Sequence, residues 1–125
     1  MRCLFLKWQA LACPLFVPIV EEGFTNTKLS EYAVKEYISK FKDTNIDSLI
    51  LGCTHYPILA NQIQKEIGDN IKLINPGNFS AKDTKKFLYE NKLSNDLKNK
   101  GYQEFYASDD FNVFKENAKV LGIEI

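Results

Sequence analysis

No charge excess, no cysteine pairing and no long apolar run occur in this chain, and each absence removes a class of function. The 16 basic residues balance the 16 acidic ones and form no block, so there is no electrostatic footprint for nucleic acid or an anionic membrane. A small polar substrate or a protein partner is expected instead. The three cysteines, Cys3, Cys13 and Cys53, are odd in number and form no C-x-x-C pair. That argues against a disulfide framework and for free thiols in a reducing compartment. No stretch reaches the ~18 apolar residues of a transmembrane helix. Met1-Arg2 ahead of Cys3-Leu4-Phe5-Leu6 could open a signal peptide, and Ala10-Leu11-Ala12-Cys13 vaguely resembles a lipoprotein cleavage site. Lys7 breaks the run short of the about 7–15 apolar residues that a signal core needs. A soluble, cytoplasmic protein is expected, without internal repeats or low-complexity segments.

What is present suffices for a folded core. Of 125 residues, 45% are hydrophobic and 13% aromatic, well outside the disordered range. The length fits one domain or a piece of something larger. Trp8 to Val20 is apolar and interrupted by Pro14 and Pro18, which predicts a short strand running into an irregular loop rather than a helix. Glu21-Glu22-Gly23 ends it, and on composition the two carboxylates are solvated loop residues. From Leu29 to Phe41 the apolar spacing turns helical, with Thr27 or Ser30 as caps. Asp47 to Leu51 reads as a short buried strand. Pro57 to Ile67 reads as an amphipathic helix closed by Gly68. Ile71 to Ile74 is a further strand, and Asn75-Pro76-Gly77 leads into a helix capped near Ser80, with Thr84, Phe87 and Leu88 inward. Ser94 to Lys100 is the expected linker, before a strand over Tyr102 to Ala107 and a helix through Phe111, Phe114, Ala118 and Leu121 capped by Gly122. Alternating strands and helices predict an α/β fold with a short, mostly parallel sheet flanked by helices. Four short strands make a narrow sheet for so many aromatic residues.

Most of the usable chemistry falls in Leu49-Ile50-Leu51-Gly52-Cys53-Thr54-His55-Tyr56-Pro57, which holds the only imidazole in the chain. A thiol at a helix N-terminus lies near unpaired N–H groups and the positive end of the helix dipole, which favour thiolate. The same donors and the Thr54 hydroxyl could cradle a carboxylate. His55 could exchange a proton beside Cys53, particularly if a carboxylate such as Glu21 orients its ring. Spacing alone equally allows a buried cysteine in a strand-end turn, with a capping threonine and a hydrogen-bonded histidine. A zinc site from Cys3, Cys13, Cys53 and His55 is conceivable but lacks structural-zinc spacing.

Leu51-Gly52-Cys53-Thr54-His55-Tyr56-Pro57, together with Ala12-Cys13-Pro14-Leu15-Phe16-Val17-Pro18-Ile19-Val20-Glu21, closely resembles the glutamate racemases of the aspartate/glutamate racemase family. Weaker likeness runs through Ile74-Asn75-Pro76-Gly77, where the family has Asp-Pro-Gly, and through Phe105-Tyr106-Ala107-Ser108-Asp109. The resemblance implies a racemase that needs no cofactor and no metal, with two pseudo-symmetric α/β lobes around a glutamate substrate. Each lobe gives one cysteine, one removing the α-proton as thiolate and the other returning a proton as thiol. Cys53 matches the second of these. Thr54 then contacts substrate, His55 assists the thiol, and Glu21 pairs with His55. Aspartate and hydantoin racemases share the Cys-Thr pair but fit His-Tyr-Pro and Pro-Leu-Phe-Val-Pro less well.

The family's first-lobe Asp-Ser-Gly turn and Cys-Asn-Thr motif are missing, and Cys13 falls on the wrong lobe to replace them. The resemblance therefore implies an incomplete two-lobed fold, the C-terminal portion of a racemase. Residues 1–75 would be the second catalytic lobe without its start, and 76–125 a tail that packs on the absent first lobe. Residues 1–9 fit the family poorly, as if translation began inside a disrupted frame or an incomplete gene. The expected function is glutamate racemase chemistry for peptidoglycan synthesis, held by a fragment inactive alone. The alternative is a non-catalytic fragment associating with a separate first lobe or with itself.

Overall fold

The computed structural model describes residues 7–95 and 101–125. Among the described residues seven regular elements follow in chain order: α1 (Phe16–Glu21), α2 (Lys28–Ile38), β1 (Ser48–Ile50), α3 (Ala60–Ile67), β2 (Lys72–Ile74), α4 (Pro76–Glu90) and α5 (Phe111–Val120). Short 3-10 turns extend α2 over Ser39–Phe41 and precede α3 over Tyr56–Leu59.

The first helix departs from the expected strand. Pro14 and Pro18 do not break the segment: Pro18 is the third residue of α1 and Pro14 lies ahead of it. N–H groups of a first helical turn have no intrahelical acceptor, so proline there costs no hydrogen bond. Cys13 C=O accepts from Phe16 N–H at 3.0 Å and starts the coil. Gly23 ends the segment with φ +74°, a value L side chains rarely adopt. The N–H groups of Gly23 and Phe24 return to the carbonyls of Val20 and Ile19. Glu21 is the last residue of this short helix.

The predicted helix from Leu29 is α2. Its cap is Thr27, whose hydroxyl accepts from Ser30 N–H while the Ser30 hydroxyl accepts from Thr27 N–H. This reciprocal pair satisfies two donors that helix geometry leaves open. Ser30 is fully buried and also donates to Thr25 C=O at 2.9 Å.

β1, α3 and β2 form a parallel crossover unit with Leu49 opposite Leu73 and Ile50 opposite Ile74. Leu51 N–H extends the ladder to Ile74 C=O at 2.9 Å. Gln64 clamps the return loop by donating to the carbonyls of Gly68 and Ile71. One apolar cluster joins Phe16, Ile19 and Val20 of α1 to Val34 and Ile38 of α2 and to Leu59, Ile63 and Ile67 around α3. Fully burying a side chain of this size contributes roughly 1.5–3 kcal/mol.

Three expectations for the second half are corrected. Asn75, not Ser80, caps α4 by accepting from Gly77 N–H at 3.0 Å, with Pro76 in the first helical position. No residue of α4 is buried, so Thr84, Phe87 and Leu88 do not face a core. Tyr102 to Ala107 forms no strand, and Tyr102 and Tyr106 are exposed. A β-prone run without a neighbouring ladder has nothing to pair its backbone groups with. Of the four expected strands, β1 and β2 form, and they are parallel. α5 lies against α1 and buries Ala118, while most of the expected linker, residues 96–100, falls outside the described residues. No helix among the described residues is long and apolar enough to cross a membrane.

Candidate functional site

The chain leaves the C-terminal end of β1 at Ile50 and turns through Gly52, Cys53, Thr54 and His55. Strand ends of parallel sheets are where α/β proteins place ligand sites, because the loops there are free to carry function. The helix that follows does not start at this turn. A 3-10 segment without a side-chain cap covers Tyr56–Leu59, and α3 opens only at Ala60. Dipole effects fade within the first turn of a helix, and Cys53 does not sit at the N-terminus of α3 as expected.

The side-chain arrangement carries the chemistry instead. His55 Nδ1 lies 3.7 Å from Cys53 Sγ and 3.4 Å from the Thr54 hydroxyl. Its Nε2 lies 3.2 Å from Glu21 Oε1. An ionised carboxylate only accepts, so Nε2 carries the hydrogen toward Glu21. In the neutral ring Nδ1 is then an acceptor, aimed at the thiol and the hydroxyl. The series Glu21, His55, Cys53 is therefore a carboxylate, an imidazole and a thiol in line, with Thr54 exposed beside them. The Glu21 side chain is 54% exposed and that of His55 29%. A pair this open is worth about 0–1 kcal/mol, so it orients the ring more than it stabilises the fold.

Cys13 lies apart from this series. It is 5% exposed, and burial pushes its thiol above the usual range, with Lys40 and the Tyr56 hydroxyl pulling partly the other way. Cys13 N–H donates to the Tyr56 hydroxyl at 3.3 Å. Burial also raises the Tyr56 phenol, the hydrogen bond from Cys13 N–H lowers it, and the neighbouring thiols of Cys13 and Cys53 raise it further. Phe16 stands edge-on to both Tyr56 and Tyr37, with centroids 5.2 and 5.3 Å away. The motif reading gave Tyr56 no role. Nothing local signals that its hydroxyl meets a backbone group 43 positions away.

Among the described residues no group of three or more His, Cys, Asp or Glu could hold a metal ion. The four-ligand zinc set is thus not assembled there, and Cys3 falls outside the described residues.

No family model matches the chain. Curated relatives do. It is 41% identical over 115 residues to glutamate racemase 2 of Caldanaerobacter subterraneus subsp. tengcongensis, a match covering 91% of this chain and 43% of that protein. Among solved structures, glutamate racemase from Francisella tularensis subsp. tularensis, in complex with D-glutamate, superposes with a TM-score of 0.77 at 41% identity. That match covers 90% of this chain and 42% of the other. Glutamate racemase isoform RacE1 from Bacillus anthracis gives a TM-score of 0.85 at 30% identity, over 97% of this chain and 46% of the other. The chain spans less than half the length of the curated relatives it matches. It is a homologue of the glutamate racemases, corresponding to the C-terminal part of their length.

Proposed function

We propose that this chain supplies one half of a glutamate racemase site, with Cys53 as the acid–base thiol on one face of the substrate's α-carbon. The in-line contacts from Glu21 through His55 to Cys53 carry this reading. His55 accepts the thiol proton at Nδ1 while Glu21 holds the hydrogen at Nε2, and the resulting thiolate removes the α-proton. In that step a C–H bond breaks and an S–H bond forms. Inversion follows when a second thiol on the opposite face gives its proton to the carbanion, forming a new C–H bond. No electron is gained or lost, and no cofactor enters the balance. Thr54, exposed beside His55, contacts the substrate carboxylate.

One thiol cannot serve both faces. Cys13 is buried behind Tyr56 and does not join the in-line series. We assign the facing thiol to the portion of the relatives that this chain does not match, since Cys3 lies in neither of the family's first-lobe motifs. Residues 1–75 then form a catalytic lobe, and 76–125 a tail that reaches the other lobe through α4 while α5 also lies against α1. In support, Phe79, Phe87 and Tyr89 of α4 are exposed and none of its side chains is buried. Exposed aromatic side chains of this number on one helix ask for a partner, and the unmatched portion of a racemase is the one we assign. The free thiols Cys13 and Cys53 fit a reducing cytoplasm, and the product, D-glutamate, would feed peptidoglycan synthesis.

The test follows the optical activity of glutamate by circular dichroism. The chain alone is expected to give no turnover. Adding the N-terminal part of a glutamate racemase relative is expected to produce turnover that Cys53→Ser abolishes. Turnover by the chain alone comparable to a full-length racemase would overturn the half-site reading.

A further inference from the structure

We propose that Tyr56 is a positioning residue of the candidate site, locking the Cys53–His55 turn onto α1 so that His55 stays in reach of Glu21. The proposal rests on the functional reading above. Glu21 and His55 are distant in sequence, partly exposed, and joined by a contact too weak to hold two elements together. The turn has no side-chain cap of its own. Some other contact must set the distance between α1 and the turn.

Tyr56 is placed to do so twice over. Its hydroxyl accepts from Cys13 N–H at 3.3 Å, and the carbonyl of the same Cys13 receives Phe16 N–H, which opens α1. A buried backbone N–H without an acceptor is strongly disfavoured, so this bond fixes the turn to the helix start. The ring of Tyr56 meets Phe16 edge-on at 87°. Phe16 is itself 1% exposed and braced by Tyr37 of α2. From Phe16 the six residues of α1 form a rigid link to Glu21 at its far end. His55 directly precedes Tyr56, so fixing one places the other. Because His55 Nδ1 faces Cys53 Sγ, the same joint sets the proton acceptor of the thiol.

His55 is the sole histidine, so its ring nitrogens give one unambiguous set of NMR resonances in the whole chain. Tyr56→Phe removes the hydroxyl and keeps the ring. It should leave far-UV circular dichroism unchanged and speed amide exchange at Cys13 by roughly fivefold or more, as for a lost hydrogen bond. It should also move the His55 Nε2 resonance at least halfway toward its value in Glu21→Gln. Phe16→Leu, which keeps the hydroxyl and removes the edge-on ring, should move that resonance in the same direction. An unchanged His55 resonance in both variants, with Glu21→Gln still shifting it, overturns the positioning role and leaves the Glu21–His55 pair standing. If Glu21→Gln itself leaves His55 unmoved, the pair fails, and the positioning role fails with it.

Discussion

Replacing Phe16 with leucine tests whether aromatic packing holds the site together. Phe16 is 1% exposed, and its ring stands edge-on to Tyr37 at 86° and to Tyr56 at 87°, both within 5.3 Å. Leucine keeps most of the apolar burial but can form neither ring pair. Each such pair contributes about 0.5–1.5 kcal/mol beyond its area, so Phe16→Leu should destabilise the fold by about 1–3 kcal/mol. Phe16→Ala adds a cavity and should cost about 3–5 kcal/mol. Urea unfolding followed by far-UV circular dichroism reads the difference as a shift of midpoint at constant slope. Phe87 of α4 serves as the control. It is 58% exposed, so Phe87→Leu should stay within about 0.5 kcal/mol of the parent chain. A Phe16→Leu effect no larger than that of Phe87→Leu would refute the claim that these ring contacts join α1 to the turn.

Other outcomes follow from the same geometry. Cys13 is buried with its thiol pushed upward, while Cys53 is partly exposed; iodoacetamide at pH 8 should label Cys53 roughly tenfold faster or more by mass spectrometry, and equal rates would contradict this. Tyr56 and Cys13 both titrate above their ordinary values of 10.0 and 9.0 in the fold. The unfolded chain therefore loses these protons first, and their stabilising contribution, complete below about pH 9, should be lost as pH rises through the raised folded values. Urea midpoints that stay constant between pH 8 and 11 would argue against it. Gly23→Ala meets no atom within 4 Å but must hold φ +74°, so about 1–2 kcal/mol of destabilisation is expected from backbone strain alone. Thr27→Ala removes the α2 cap and should cost about 0.5–2 kcal/mol in the same assay.

Elements with a clear period were legible in the sequence. The spacing of Val34, Tyr37, Ile38 and Phe41 gave α2, and Leu59, Ile63 and Ile67 gave the helix after the turn, because burial against one cluster imposes that period. β1 and β2 were legible as short, mostly apolar segments, Asp47 to Leu51 and Ile71 to Ile74. α1 was missed because proline was weighed as a breaker without regard to its place in the first turn. Tyr102 to Ala107 was misread because strand composition means little without a ladder to join. At the site, Cys53, Thr54 and His55 were visible because they are adjacent. Composition made Glu21 a loop carboxylate; the chemistry of the turn offered it only as one carboxylate that could orient His55, and the family resemblance singled it out. Tyr56 lay inside the motif, but its positioning contact carried no signal, since the partner Cys13 N–H is a backbone group that any residue but proline would supply.

If Cys53 handles the proton on one face of the α-carbon, as proposed, inversion in heavy water depends on its thiol. The most direct measurement runs L-glutamate in D2O with this chain and the N-terminal part of a racemase relative, reading deuterium at the α-carbon and the fraction of D-glutamate formed. The intact pair should give D-glutamate carrying deuterium, and Cys53→Ser should stop that inversion. Inversion at an unchanged rate with Cys53→Ser would show that Cys53 does not carry this proton.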